Sequence, residues 1–256
     1  MMRFASLGSG SQGNALVVEV NETRVMLDCG FGINETISRL SRLELTPQQI
    51  SAIVVTHEHS DHIGGVVKFA RRFNLPVWLT FGTASVFQEE FSSLPKVSYF
   101  GIHQRFSIGD IELEPFPVPH DAREPAQFVF SDGARRLGVI TDAGSSTAHA
   151  ETVLSCCDAL VLECNHDLEM LKNGSYPVPL KQRIAGRFGH LSNDDAAKLL
   201  ANLDCSRLQH LIAAHLSQNN NTPELARAAL SRVLNCEPGW VGVAEQQNGF
   251  AWHQIS

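Results

Sequence analysis

Long apolar runs are missing from this chain. No segment approaches the roughly eighteen apolar residues that a membrane-spanning helix requires, so no helical membrane span is expected. Cysteine occurs six times (Cys29, Cys156, Cys157, Cys164, Cys205 and Cys236), but never as Cys-x-x-Cys or in paired spacing. Neither a structural zinc ribbon nor a disulfide framework is therefore expected. The opening Met1-Met2-Arg3-Phe4-Ala5-Ser6-Leu7 lacks a secretory pattern and reads as a first strand. Reduced thiols and a cytoplasmic location are the expectation. A basic excess is also missing: 20 Lys and Arg against 27 Asp and Glu leave a net charge of −7. That balance argues against indiscriminate binding to polyanions, because DNA affinity rests largely on phosphate neutralisation, but it leaves room for a local basic groove. Linkers, low-complexity runs and fixed-period repeats are absent too. The 256 residues, 43% hydrophobic, read as a single domain over 1–256 with two halves, about 1–125 and 126–256.

What is present is concentrated in Val54-Val55-Thr56-His57-Glu58-His59-Ser60-Asp61-His62-Ile63-Gly64-Gly65. Ile53-Val54-Val55 reads as a buried strand that stops at Thr56. Side chains two apart on an extended segment point to one side, so His57 and His59 can grip one ion together. Asp61 and His62 follow past a bend, before a helix expected near Ile63, and can reach a second ion. A polar loop that happens to be rich in histidine is the plain alternative; four ligand types within six positions favour a metal site.

Ahead of this motif, Gly8-Ser9-Gly10-Ser11-Gln12-Gly13-Asn14 could cradle a phosphate with its N–H groups or simply reverse the chain. Strands are expected over Ala15 to Val20 and Thr23 to Asp28. Asp28 either orients a ligand histidine or caps the next turn. Helices are expected over Ile33 to Leu43 and from Thr46-Pro47. After the motif come a helix (Ile63 to Arg72), a strand (Val77 to Thr80), a helix (Gly82 to Glu90), strands near Val97 and Phe106, and a strand over Ile111 to Pro117. A hairpin turning at Asp132-Gly133 opens the second half. Its return strand, Leu137 to Thr141, is followed by a helix (Thr147 to Leu154) and a strand (Ala159 to Glu163). A helix over Asp194 to Leu203, capped by Ser192 or Asn193, precedes a strand from Leu208 to Ala213. A helix capped by Thr222-Pro223 and strands near Val241 and Ala251 complete the pattern. Strands then helices in each half suggest two sheets face to face with helices outside.

His120, Asp142 and His215 each sit just past an apolar strand, where sites assemble in open sheets. With the first motif they make five histidines and two aspartates, enough for two ions that share a hydroxide and clamp both oxygens of a displacement. All are N or O donors, compatible with zinc, manganese or iron.

His-x-His-x-Asp-His followed by a lone His, a lone Asp and a last His resembles the metallo-β-lactamase superfamily over essentially the whole chain. The resemblance implies a four-layer αββα sandwich of two mixed β-sheets. It also implies His57, His59 and His120 on a first ion, Asp61, His62 and His215 on a second, and Asp142 bridging them. Leu7-Gly-Ser-Gly-Ser-Gln-Gly-Asn14, Glu163-Cys-Asn-His-Asp167, Arg187-Phe-Gly-His-Leu-Ser-Asn193 and His215-Leu-Ser-Gln-Asn-Asn220 resemble its small bacterial YycJ (WalJ) type. That type is similar to the nuclease and phosphodiesterase side of the superfamily, with tRNase Z, RNase J and the cyclic-phosphate diesterase of phosphonate breakdown. It implies His190, about two dozen residues before His215, as general acid for the leaving oxygen. A histidine titrates near neutrality and suits that role; a polar contact to Ser192 is its plainer reading.

Arg183 and Arg187, in the locally basic Lys181-Gln-Arg-Ile-Ala-Gly-Arg187, suit bidentate phosphate contacts or mere surface solvation. Ser192, Asn193 and His166 complete the candidate substrate contacts, His166 alternatively supporting a ligand. His103, His149, His210 and His253 have no such context. The chain has no room for the inserted domain of RNase J-type enzymes and lacks the protruding arm of tRNase Z, so a short substrate or strand end fits best. The implied activity is a binuclear phosphodiesterase, a 5′-to-3′ exonuclease on DNA ends, attacking with a metal-bridging hydroxide oriented by Asp61. A thioester or lactone hydrolase using the same ligands is the enzymatic rival, and a non-catalytic metal-stabilised scaffold is a third reading.

Overall fold

The computed structural model describes residues 1–256. The first sheet contains β1 (Met2–Gly8), β2 (Ala15–Val20), β3 (Thr23–Leu27), β4 (Ala52–Val54), β5 (Val77–Leu79) and β6 (Val97–Tyr99). The second contains β7 (Phe106–Ile108), β8 (Ile111–Pro117), β9 (Ala126–Ser131), β10 (Arg136–Ile140), β11 (Ala159–Glu163), β12 (His210–Ala214) and β13 (Gly242–Val243). β14 (Phe250–Ile255) returns to the edge of the first sheet beside β1. The helices are α1 (Ile33–Ser41), α2 (Ser60–Ile63), α3 (Val66–Phe73), α4 (Phe81–Val86), α5 (Gln88–Ser92) and α6 (Ala148–Leu154), then α7 (Leu168–Asn173), α8 (Val178–Ile184), α9 (Asn193–Ala201) and α10 (Pro223–Leu234).

Each sheet has seven strands, in the orders β14-β1-β2-β3-β4-β5-β6 and β13-β12-β11-β10-β9-β8-β7. β3 to β6 pair in parallel, as do β10 to β13; the remaining pairs are antiparallel. Sheet membership therefore changes between β6 and β7 and reverts at β14, away from the 125/126 division. Two faces of one strand explain the layers. On β2, Ala15 and Val17 face the helices over the first sheet, with Phe69 and Leu40. Leu16, Val18 and Val20 face the opposite sheet, where Phe128, Phe130, Val139 and Val161 meet them. On the far side Leu160, Leu162, Leu211 and Ala213 bury against Leu199, Leu200 and Leu230 of α9 and α10. Three cores thus separate four layers, α, β, β and α.

Several element bounds differ from expectation. The helix after the metal motif starts at Ser60, not Ile63, so Asp61 and His62 lie on a helical turn. The segment expected as one helix from Gly82 to Glu90 breaks at Phe87 (φ −126°, ψ 43°), a side chain that packs on the first core. α7 and α8 were not anticipated, because their short stretches bury almost nothing and carry no clear apolar period.

Gly30 couples the fold to the motif: a Cβ there would lie 1.9 Å from the Asp61 carbonyl oxygen, a backbone atom with nowhere to go. Gly30→Ala should lower the unfolding free energy by about 1–3 kcal/mol, the usual cost of overpacking. It should also reduce metal uptake by displacing Asp61. Denaturant titration together with elemental analysis checks both; an unchanged midpoint refutes the coupling.

Candidate metal centre

The site occupies the gap between the sheets at the carboxyl ends of their parallel strands. β3 runs into Asp28, β4 feeds the histidine motif, β10 runs into Thr141-Asp142, β11 ends in Glu163 and β12 runs into His215. Asp28, Asp142 and His215 adopt left-handed backbone (φ 61°, 52° and 55°). Residues with a side chain pay about 1 kcal/mol or more there, and such strain gathers where side-chain direction matters.

Three clusters form. The ligand atoms of His57, His59 and His120 lie within 4.8 Å of one another, as do those of Asp61, His62, Asp142 and His215. A third set, Asp142, Glu163, His190 and His215, overlaps the second. His57 and His62 join the first two, their rings 4.2 Å apart.

Hydrogen bonds on the outer side decide which ring nitrogen each histidine leaves free. Thr56 Oγ1 donates to Asp28 Oδ2 (2.9 Å), so His57 Nδ1 donates to Thr56 Oγ1 (2.9 Å) and the lone pair falls on Nε2. His62 Nδ1 donates to the same Asp28 Oδ2 (2.7 Å), again freeing Nε2. His120 Nδ1 donates to the Gly189 carbonyl (3.0 Å), and His59 Nε2 to that of Asp121 (3.2 Å). The freed His59 Nδ1 and His120 Nε2 face each other at 3.2 Å, and the buried His57 Nε2 has no partner at all. Asp142 Oδ2, also buried, lies 3.0 Å from His62 Nε2 but out of line for a hydrogen bond. Converging lone pairs with nothing to receive them suit a cation, so these residues fit bound metal.

Protonation follows the same division. Burial and the neighbouring rings push His57 and His120 below the ordinary histidine range, keeping their nitrogens available. Burial opposes charge on His215 too, but Asp142, Asp61 and Glu163 carry it up to about 10; His62 likewise rises between Asp142 and Asp28.

The glycine-rich turn supports the site from behind. Ser9 Oγ accepts from the His215 amide (2.9 Å), and Asn14 Nδ2 reaches Asp61 Oδ2 (3.3 Å) and His62 Nε2 (3.1 Å). The amides of Ser9, Gly10, Gln12, Gly13 and Asn14 are all bonded within the protein, which removes them from any phosphate cradle.

His190 stands beside the second cluster, its ring stacked on His215 at 5.3 Å. Its Nδ1 donates to Glu163 Oε1 at 2.8 Å and lies 3.6 Å from Asp142 Oδ1. The contact to Ser192 is not made. Ser192 instead caps α9, accepting from the Asp195 amide and donating to the Asp195 carboxylate. Asn193 is buried and exchanges hydrogen bonds with Asn221. Both candidate substrate contacts are thus turned inward. Arg183 donates to Asp121 Oδ2 (2.6 Å), and the other oxygen of Asp121 is 3.7 Å from His59 Nε2, which places Arg183 at the rim. Arg187 is exposed, 5.6 Å from the Phe188 ring, and makes no ion pair. His166 is buried with both ring nitrogens unpartnered. His103 and His149 pair with each other, as do His210 and His253, outside these clusters.

Glu163 is the residue that sequence reasoning missed. It is fully buried, and although burial opposes its charge, His190 brings its carboxyl down to about 2. Its signal was the one it shares with Asp142 and His215, a lone polar residue ending an apolar strand.

Residues 23–215 match the Beta-lactamase superfamily domain. The chain belongs to the metallo-β-lactamase superfamily. It is 39% identical over 246 residues to exodeoxyribonuclease YycJ of Bacillus anthracis, covering 95% of this chain and 92% of that one. It is 33% identical to exodeoxyribonuclease WalJ of Streptococcus pneumoniae, over 94% and 91% of the two chains. Among solved structures, the metallo-β-lactamase fold protein YhfI of Bacillus subtilis superposes with a TM-score of 0.76 at 17% identity, covering 99% of this chain and 100% of that one. A diphosphatase of the PhnP family superposes at 0.70, also at 17% identity and covering 99% and 98%. These likenesses make the protein an enzyme of a hydrolase superfamily, with His/Asp clusters able to bind metal.

Protein reconstituted in zinc or manganese should hold close to two ions per chain by elemental analysis, and His57→Ala with His59→Ala should leave about one. Thr56→Val removes the acceptor for His57 Nδ1 and should weaken metal affinity roughly 10- to 100-fold. No bound metal in the wild type would overturn the assignment.

Proposed function

We propose that this protein is a binuclear metal-dependent phosphodiesterase acting as a 5′-to-3′ exonuclease on DNA ends in the cytoplasm. The observation that carries the reading is His190 held by buried Glu163 beside Asp142 and His215. Two full-length relatives named exodeoxyribonucleases support the DNA substrate. His57, His59 and His120 would hold one ion, Asp61, His62 and His215 the other, with Asp142 shared between them. Bound zinc, manganese or iron would neutralise phosphoryl oxygens and make water a competent nucleophile at neutral pH.

The chain's own residues supply the rest. Asp61, whose side chain is partly open to solvent, accepts a hydrogen bond from the attacking water and aims it at phosphorus. His190 gives its proton to the leaving oxygen. Burial alone would lower the His190 pKa, but Glu163, with Asp142, raises it above the ordinary histidine value, which favours the protonated ring that an acid needs. Arg183 at the rim, oriented by Asp121, meets a neighbouring phosphate. A thioester expels a thiolate and needs no such acid, and neither thioester nor lactone hydrolysis has use for an arginine placed on a neighbouring phosphate.

His190→Ala should keep its metal and fold but lose roughly 10²–10⁴-fold in rate on DNA, the range for a lost general acid. On a nitrophenyl phosphodiester, whose leaving group needs little protonation, the loss should be much smaller. Equal losses on both would make His190 a binding residue. Robust thioester or lactone turnover by the wild type, with none on any phosphodiester, would defeat the reading.

Glu163→Gln removes the charge that raises His190. The acid form is lost as pH rises through the His190 pKa, so the basic limb of the pH–rate profile on DNA should move to lower pH. A limb that stays in place would remove Glu163 from proton transfer.

A further inference from the structure

A DNA strand that reaches the metal centre extends beyond it, and the adjoining face carries two aromatic rings in water. Because β3, β4, β5 and β6 are parallel neighbours, their carboxyl ends line one edge. Along it lie Asp28, the histidine motif, Phe81 just past β5, and Tyr99 at the end of β6. With strands about 4.8 Å apart, Phe81 and Tyr99 stand one and two strand spacings from the motif.

Phe81 is 71% exposed and Tyr99 56%. Their rings meet edge to face, with centroids 5.9 Å apart and planes at 65°. Together they wall a concave pocket of ≈ 160 Å³ floored by Ala84 and Phe91, with Ser85, Gln88 and Ser92 supplying polar groups. A nucleobase has matching chemistry, an apolar face for stacking and a polar edge for hydroxyl and amide groups.

Phe81 is held firmly to the metal side. Gly82 N donates to Glu124 Oε2 (2.7 Å), and a Cβ on Gly82 would lie 2.5 Å from Glu124 Cβ. Thr80 Oγ1 donates to the Glu124 carbonyl (3.1 Å). In the same loop Arg123 N donates to Glu58 Oε1 (2.6 Å), and Glu58 sits between His57 and His59. A single loop thus separates the ring pair from the first histidine cluster. Val86 is the one other exposed large apolar residue on α4 or β6, so the patch falls far short of the roughly 800 Å² per partner of a stable protein interface.

We propose that Phe81 and Tyr99 form a stacking platform for an unpaired base of single-stranded DNA whose reacting phosphate lies at the metal centre. This rests on the nuclease reading. The test compares Phe81→Ala and Tyr99→Ala with wild-type holoenzyme on a single-stranded oligodeoxynucleotide and on methyl nitrophenyl phosphate, a phosphodiester that carries no nucleobase. Both side chains are exposed, so fold and metal content should be retained. KM for the oligonucleotide should rise roughly five- to a hundredfold, the range for one lost base stack. Turnover of the base-free diester should not change, and Phe81→Trp should preserve oligonucleotide binding. Equal losses on both substrates, or none on the oligonucleotide, would overturn the platform while leaving the nuclease reading intact. A change in sedimentation of the alanine variants would mark the rings as a contact between copies and also overturn it. Wild-type protein inert on DNA would overturn both readings.

Discussion

One carboxylate, Asp28, decides how the two halves of the metal motif present themselves. It receives the Thr56 hydroxyl, the Thr56 amide and His62 Nδ1. Through Thr56 it also sets the tautomer of His57. Both rings therefore turn lone pairs into the gap between the sheets, His57 toward the first cluster and His62 toward the second. Without that acceptor either ring could rotate or exchange its proton to the inner nitrogen, and each ligand set would lose a nitrogen.

Such a centre is expensive to hold. Asp142, Glu163, His57, His62 and His215 are almost wholly removed from water, and three of the site's residues carry left-handed backbone. The three apolar cores maintain the arrangement because every strand that supplies a site residue is packed on both faces. Close packing turns small local strains into fixed side-chain directions. Oppositely charged neighbours offset the burial: Asp142 is drawn well below the usual carboxylate range by His215 and His62 despite its desolvation.

The site divides its work by depth. His57, His62, His120, Asp142 and His215 lie deep and are held from behind by the glycine-rich turn, by Asp28 and by Asn165, whose Nδ2 donates to the His215 carbonyl (3.0 Å). Asp61 and His190 occupy the partly open level above them, suited to water and leaving group. Arg183 lies on the rim, and the aromatic pair lies one loop beyond the first histidine cluster. Ser192 and Asn193, turned inward, serve the start of α9 and the packing beneath it.

The primary structure by itself made the candidate ligand set visible. His57, His59, Asp61 and His62 stand close together, and His120, Asp142 and His215 each follow an apolar strand, a pattern local periodicity makes visible. The two-sheet, helix-flanked architecture was legible for the same reason, since strands and helices alternate with clean periods. Tertiary structure alone decided what depends on distant segments meeting. Glu163 reaches His190 across 27 residues of chain, and Ser9 reaches the His215 amide across 206. The burial of Ser192 and Asn193, the break at Phe87, and the exposure of Phe81 beside Tyr99 are packing outcomes. No local pattern encodes them, because each is settled by which surface another element happens to cover.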